Sequence, residues 1–379
     1  MGFTRRTLLR AGALGTAAAG LQAMTSNAAS AAPVGRTTAG EQEQLQALYR
    51  AARDEGGRAT LYMGGDAPGF FDFIPQAFLA QFPGIKVNTI TDLSKYHDAR
   101  IDNQLATDNL VADIAILQTT QDFDRWKAMG ELLRYRPVGW DNVFDNAKDP
   151  DGYWASAYYG AFAPIVGIHQ APADPNDFRA TDLLSPVFTD KIISTWPNDD
   201  DAVLFQYKLF VDQYGWGWLE KFAAQRPTYV RGLGGSIGGV VDGTYLASPA
   251  GAGGTGPNSV QVLPAHDRFP SWAQRAAIFR RSPHQATAKL FLSWLLSRQA
   301  QQDVIAGFTW SVRADVAPPA GLKPLADYRT TDPLDFPKFM SDRAAVDRFK
   351  SQVELYVGAV QGPNPADPQN ALGRTPGRF

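Results

Sequence analysis

Two stretches of this chain open helices with groups that could do chemistry. Arg231-Gly232-Leu233-Gly234-Gly235-Ser236-Ile237-Gly238-Gly239 begins a helix with glycines, so its backbone amides could cradle an anion while Arg231 adds charge. The run superficially resembles a dinucleotide fingerprint. The acid that should follow about twenty residues later is missing, which removes that cofactor. Trp196-Pro197-Asn198-Asp199-Asp200-Asp201 places three acids at another helix start. Capping and the helix macrodipole account for acids there; as ligand contacts they would favour a cationic solute such as an amine. Tyr158 and Tyr159 are adjacent in an extended stretch, so they point to opposite faces and cannot easily share one metal ion. Ser94 and His97 lie close in sequence, but no Gly-x-Ser-x-Gly elbow or orienting acid completes a triad. No carboxylate pair stands out for acid–base work. Catalysis is not indicated.

Composition narrows the classes further. The 379 residues contain no cysteine, which excludes disulfides, thiolate metal sites and cysteine nucleophiles together. Only four histidines occur (97, 169, 266 and 284), none spaced as a pair of metal ligands. With 36 Lys plus Arg against 38 Asp plus Glu, the net charge is -2, without the clustered positive charge that a nucleic-acid groove needs. Hydrophobic residues make up 44%, and the length suits two domains with proper cores.

The elements that must position these residues come in two α/β series. A surface helix over Glu41 to Glu55 leads to a strand at Ala59–Met63 ending in Gly64-Gly65-Asp66. Then follow a helix (Phe71–Phe82), a strand (Ile85–Ile90), a helix (Tyr96–Thr107), an apolar strand (Ala112–Leu117) and a helix (Gln121–Met129). Such alternation implies a parallel sheet covered on both faces, with a ligand crevice outside the carboxyl ends of its strands. Tyr153 to Ile168 is a long apolar stretch, interrupted by Gly160 and Pro164, that crosses to the second series. That series comprises Lys191–Thr195, helices across Ala202–Phe222, Thr228–Arg231, Thr244–Ala247, a Gly-rich loop over Gly251–Asn258, and strands at Ser259–Leu263 and Trp272–Phe279. Helices at Gln285–Leu296, Gln299–Ile305 and Ala344–Tyr356 follow. The Pro-, Gly- and Asn-rich tail from Gly362 is expected to fray. Two lobes joined by β-strand hinges make a cleft that closure can seal around a small ligand.

The first 31 residues read as an address. Arg5-Arg6 precede the short apolar stretch Ala11 to Ala23, too short to span a bilayer, and Ala29-Ser30-Ala31 offers small residues for cleavage. This resembles a twin-arginine export signal. Cleavage after Ala31 removes three arginines and no acid, leaving 33 basic against 38 acidic residues. No later segment is a membrane span, and no cysteine is available for a lipid anchor. A mature protein free in a periplasm or secreted is expected.

Four segments in this order resemble a known family. They are the opening helix with the Ala59–Gly65 strand and turn; Val111-Ala112-Asp113-Ile114-Ala115-Ile116; Asp151-Gly152-Tyr153-Trp154 followed by crossing strands, Asp182-Leu183-Leu184 and Asp190-Lys191-Ile192; and Ser282-Pro283-His284-Gln285 running into Trp294-Leu295-Leu296-Ser297-Arg298-Gln299. Together, over roughly residues 42 to 358, they resemble the extracellular solute-binding proteins of ABC importers. The type II periplasmic-binding branch with ferric-ion, polyamine, thiamine and phosphorylated-substrate binders is the most similar. The resemblance implies an α/β fold of two lobes, each a mixed sheet flanked by helices. Residues 40–150 would begin lobe 1, 151–263 form lobe 2, 264–361 return to lobe 1 with the C-terminal helices, and 362–379 form a flexible tail.

It also implies function: a monomeric, non-enzymatic receptor without cofactor or metal that passes a small polar solute to ABC permease subunits. A ferric-ion binder and an exported enzyme on this fold are the alternatives. His284 falls at a helix start and is expected to be structural. Ligand-binding candidates at strand ends are Gly65 and Asp66, Ser94, Thr119 and Thr120, with capping as the competing role of Ser94 and Thr119. In lobe 2 they are Asp199, Arg231, Gly234 and Ser236. Tyr159, with Phe269 and Trp272, is expected to form an aromatic wall, or else lobe core. Iron-binding relatives carry paired tyrosines in the region occupied here by Ser236 to Tyr245, where Tyr245 stands alone.

Overall fold

A computed structural model describes residues 39–253 and 255–378. The expected export leader lies outside the described residues. Lobe 1 is built on five strands in the order β2-β1-β3-β10-β4: β1 Arg58–Gly64, β2 Lys86–Asp92, β3 Ile114–Leu117, β4 Ala155–Ala161 and β10 Ser271–Ile278. The first three are parallel, and β10 runs antiparallel to β3 and β4. Both faces are covered, which is why β1 and β3 read as continuous apolar runs. Leu61, Met63, Ile114 and Ile116 pack toward helices α1 (Ala39–Glu55) and α2 (Phe73–Gln81). Their neighbours Tyr62, Ala115 and Leu117 face α3 (Ser94–Ala106) and α4 (Thr120–Ala128). Each fully buried Leu, Ile or Phe in these layers contributes roughly 1.5–3 kcal/mol.

The crossing stretch is two strands rather than one. β4 ends at Ala161, Phe162 turns the chain, and β5 (Ala163–Gly167) enters lobe 2. There β5 pairs antiparallel with β8 (Ala247–Gly251) and β9 (Ser259–Gln261). The parallel pair β6 (Ile193–Thr195) and β7 (Thr228–Val230) joins this sheet through the Ile192–Ala247 bridge. Helices α5 (Asp201–Tyr214), α6 (Trp216–Ala224) and α7 (Leu233–Val241) cover it. Helix α8 (Gln285–Leu295) packs its buried face into lobe 1, with His284 at its start beside Asp113.

Three boundaries differ from the sequence reading. β4 belongs to the lobe 1 sheet, so lobe 2 begins near Phe162 and not at residue 151. Helix α10 (Arg343–Val357) returns to lobe 2, where Phe349 and Tyr356 pack on Trp216, and the preceding α9 (Asp335–Ser341) bridges the lobes, with Phe336 against Phe205 of lobe 2 and Trp272 of β10. The tail is docked: Gly373, Arg374, Pro376 and Gly377 supply carbonyls to Arg100, Gln104, Tyr62, Thr60 and Asn88 of lobe 1. A Pro- and Gly-rich segment leaves its carbonyls unpaired, and side-chain donors can claim them. No helix among the described residues is long and apolar enough to cross a membrane.

Candidate functional site

The carboxyl ends of β1, β2 and β3 face those of β6 and β7, and side chains bridge the gap. Asp66 follows β1, and its Oδ2 accepts from the backbone N–H of Leu233, the first residue of α7, at 2.8 Å. This lobe 1 carboxylate therefore caps a lobe 2 helix, where one amide and the positive end of the helix dipole meet it. Gly232 permits the approach. Its φ is +72°, and a Cβ there would lie 3.1 Å from the Asp66 Cβ and 2.9 Å from Pro365.

Beside this contact lies an ion cluster. Arg231 donates from Nε to Asp199 Oδ2 at 2.8 Å and from Nη2 to Asp199 Oδ1 at 3.2 Å, within lobe 2. The same Nη2 reaches Tyr96 Oη of lobe 1 at 2.8 Å. Lys95, also from lobe 1, pairs with the Asp199 carboxylate and donates to its carbonyl at 3.0 Å. Asp199 is almost fully enclosed, its side chain 4% exposed. Burial acts to raise its pKa, but Arg231 and Lys95 outweigh burial and hold it below the ordinary carboxylate range.

Asp200, next in sequence, behaves oppositely. Its Oδ1 accepts from the N–H groups of Ala202 and Val203 and so caps α5. Burial, and then the charge of Asp66, raise its pKa to about 7. Asp66 is likewise raised, by burial and then by Asp199, against the Leu233 amide that lowers it. Among the described residues, neither Asp66 nor Asp200 has a lysine or arginine partner.

Comparison with known proteins bears on this arrangement. No family model matches the chain, and no curated protein matches it by sequence. Solved structures do. A substrate-binding protein of an ABC transporter from Agrobacterium tumefaciens superposes with a TM-score of 0.67 at 14% identity, over 81% of this chain and 96% of that one. The periplasmic binding protein AfuA from Actinobacillus pleuropneumoniae, with fructose-6-phosphate bound, gives 0.65 at 16%, over 80% and 99%. Iron-bound HitA from Pseudomonas aeruginosa gives 0.61 at 17%, over 78% and 99%. The chain has the two-lobed fold of periplasmic binding proteins.

Within that fold the predicted residues separate into groups. Asp66, Asp199 and Arg231 meet at the interlobe contact. Gly65 supports it from behind, since a Cβ there would come within 2.8 Å of Thr91. Ser94 Oγ accepts from Gln118 N at 3.0 Å and ties the start of α3 to the end of β3. Thr119 and Thr120 are buried at the start of α4, and their hydroxyls have no hydrogen-bond partner. They do not cap the helix by side chain. Gly234 lies on the first turn of α7 with open space at its Cα. Ser236 is internal to lobe 2, bonded to Leu233 O and Thr195 Oγ1.

The aromatic residues expected as a cleft wall, or else as core, do not line the cleft. Tyr159 points away from Asp66: its hydroxyl donates to Asn146 Oδ1, and its ring lines a separate cavity of about 480 Å³ with Phe144, Trp310 and Leu325. Trp272 is core, its ring against Phe162 and Phe336 and its Nε1 donating to Gln274. Phe269 is also core. The opposite-face argument for the tyrosine pair holds, and Tyr158 is the member that senses Asp66. Its pKa is pushed up by burial and then by the Asp66 charge.

The sequence reading passed over Lys95 and Tyr96. Their only signal is position, directly after the candidate Ser94 and just past the end of β2. It also passed over Asn364, whose Nδ2 donates to the buried Asp92 at 2.7 Å and brings the tail to the cleft edge.

Proposed function

We propose that this protein is the exported, non-enzymatic receptor of an ABC-type importer, capturing a small polar solute between its lobes and delivering it to a membrane permease. One observation carries the reading: polar side chains from strand ends of both lobes converge on one another, in a fold shared with ABC transporter substrate-binding proteins. Binding at such a contact couples directly to lobe closure, because a solute touching both lobes stabilises the closed form by its differential affinity for that form. Among the described residues, nothing at the contact resembles a nucleophile with its base. A monomer that leaves the cytoplasm by the twin-arginine route completes the proposal, on the Arg5-Arg6 pair and the apolar stretch behind it.

Small-angle scattering with and without the ligand released from the purified protein tests this. Compaction by ligand, with a melting temperature that rises with ligand concentration, is expected. Identical curves would remove the capture mechanism. Ferric citrate titration separates the iron reading, which HitA raises. Tyr159 is bonded to Asn146 and Tyr245 to Thr228, on different elements, so no tyrosinate-to-iron absorption band should develop.

A further inference from the structure

The polar groups of the cleft are unequally satisfied. Both cations that face it, Lys95 and Arg231, are claimed by Asp199. The leading amide of α7, the natural seat for an anion, is claimed by Asp66. An incoming phosphate or carboxylate would have to evict Asp66 and compete with Asp199 for the two cations. The acids are left in surplus: three carboxylates, at 66, 199 and 200, face two bases. The surplus falls on Asp66 and Asp200, which have hydrogen bonds to helix amides but no counter-ion.

These two come from opposite lobes. Asp200 caps α5 at the end of β6, and Asp66 caps α7 at the end of the adjacent parallel strand β7, so the two helix starts lie side by side. The link between them is short: Thr195 Oγ1, on β6, donates to the carbonyl of Gly232, which precedes α7, at 3.1 Å. A third group is unspent. Tyr158 is only 4% exposed, yet its hydroxyl has no hydrogen-bond partner in the structure. Its ring packs at 5.8 Å from Phe71, on the turn that carries Asp66. The hydroxyl is not shut away from solvent, so it is free to bond a bound molecule.

We infer that the solute is an organic cation with N–H donors, held between the carboxylates of Asp66 and Asp200 with the Tyr158 hydroxyl as a third acceptor and its ring as an aromatic wall. The inference rests on the capture function proposed above and gives that site its charge class. The cation would supply the counter-charge that both carboxylates lack, so it would draw the lobes together as it binds. Three acceptors converging from two lobes suit a primary amine or a guanidinium, each of which carries several donors. The upward pKa shifts at Asp66 and Asp200 agree with two like charges enclosed without a counter-ion.

The substitutions Asp66→Asn and Asp200→Asn test it cleanly. Each keeps an oxygen that can accept from the helix amides, so the caps survive while the charge is lost. The experiment is calorimetry at pH 8 on the mature protein with putrescine, agmatine, fructose-6-phosphate and inorganic phosphate, alongside native mass spectrometry of whatever ligand co-purifies. Putrescine or agmatine should bind, and either substitution should weaken that binding by at least about tenfold. The anions should not bind the wild type. Tyr158→Phe should weaken the cation by a smaller factor.

Wild-type protein that binds neither amine, or that releases an anionic ligand, overturns the inference while leaving the capture function standing. So does amine affinity that is unchanged in both asparagine variants. Absence of any bound small molecule, together with scattering that no solute alters, is the distinct result that removes the capture function itself.

Discussion

Asp199 and Asp200 are neighbours in sequence and opposites in chemistry. Asp199 lies between Arg231 and Lys95 and is held ionised below the usual carboxylate range. Asp200 has two backbone amides, no basic partner and the Asp66 charge nearby, and its pKa rises to about 7. Both are substantially enclosed, so burial alone does not separate them. The difference lies in the charge of the group that lobe 1 supplies. Lobe 1 sends Lys95 and Tyr96 toward Asp199 but a like charge, Asp66, toward Asp200. One half of the contact is therefore a lock that is complete within the protein. The other half remains incomplete.

The largest test of this contrast is Asp199→Ala. Removing one partner of an enclosed ion pair strands the other charges, at a cost of about 3–5 kcal/mol. Arg231, whose side chain is 10% exposed, would be left facing Lys95. Urea unfolding should show that loss, and scattering should show a more open molecule without ligand. A variant as stable and compact as the wild type would dissolve the distinction between lock and gap.

Asp200→Asn should act with the opposite sign. A carboxyl whose folded pKa is raised stabilises the fold at low pH, and that stability is lost as pH rises through the folded value. The window here runs from about pH 4, the ordinary carboxylate value, up to about 7. The groups facing Asp200 are Asp66 from lobe 1 and Asp201 beside it, the latter paired with Arg343 and Lys350 of α10. At pH 8 the asparagine variant should be more stable than the wild type by on the order of 1 kcal/mol, a figure reduced because the site is partly open to solvent. The two should converge near pH 4. Urea midpoints measured across that range would settle the sign.

An effect of similar small size belongs to Tyr96→Phe, which removes the lobe 1 acceptor of Arg231 but leaves Asp199 in place. A loss of about 0.5–1.5 kcal/mol is expected. A loss as large as that of Asp199→Ala would show that the lock depends on the hydroxyl and not on the carboxylate.

Much of this was legible in the chain. Alternating strands and helices gave the lobes, and strand-end loops gave Asp66, Asp199 and Arg231, because parallel sheets collect polar loops at their carboxyl edges. Pairing across the cleft was not legible. Nothing in Lys95-Tyr96 marks them as partners of residues more than a hundred positions away. Alternation showed that Tyr158 and Tyr159 diverge but not which one turns toward the cleft, since both neighbourhoods are apolar. β8 was misplaced because Ala247-Ser248-Pro249-Ala250-Gly251 lacks branched residues and includes a proline. The short helix α9 was missed because Pro337 suggests a break, although a proline in the first turn forfeits no helical hydrogen bond.

The docked tail sets a mechanical limit on the hinge. On lobe 2, Asn198 Nδ2 holds the carbonyl of Gly358 at 3.0 Å; on lobe 1, Asp92 holds Asn364. The chain between positions 358 and 364 can extend to roughly 20 Å at most, at 3.3–3.6 Å per residue. While both anchors hold, the segment is a leash, slack when the lobes meet and taut at that separation. Opening past this point must first release one of these two anchors, so the widest excursions of the cleft are tied to the weaker of two hydrogen bonds.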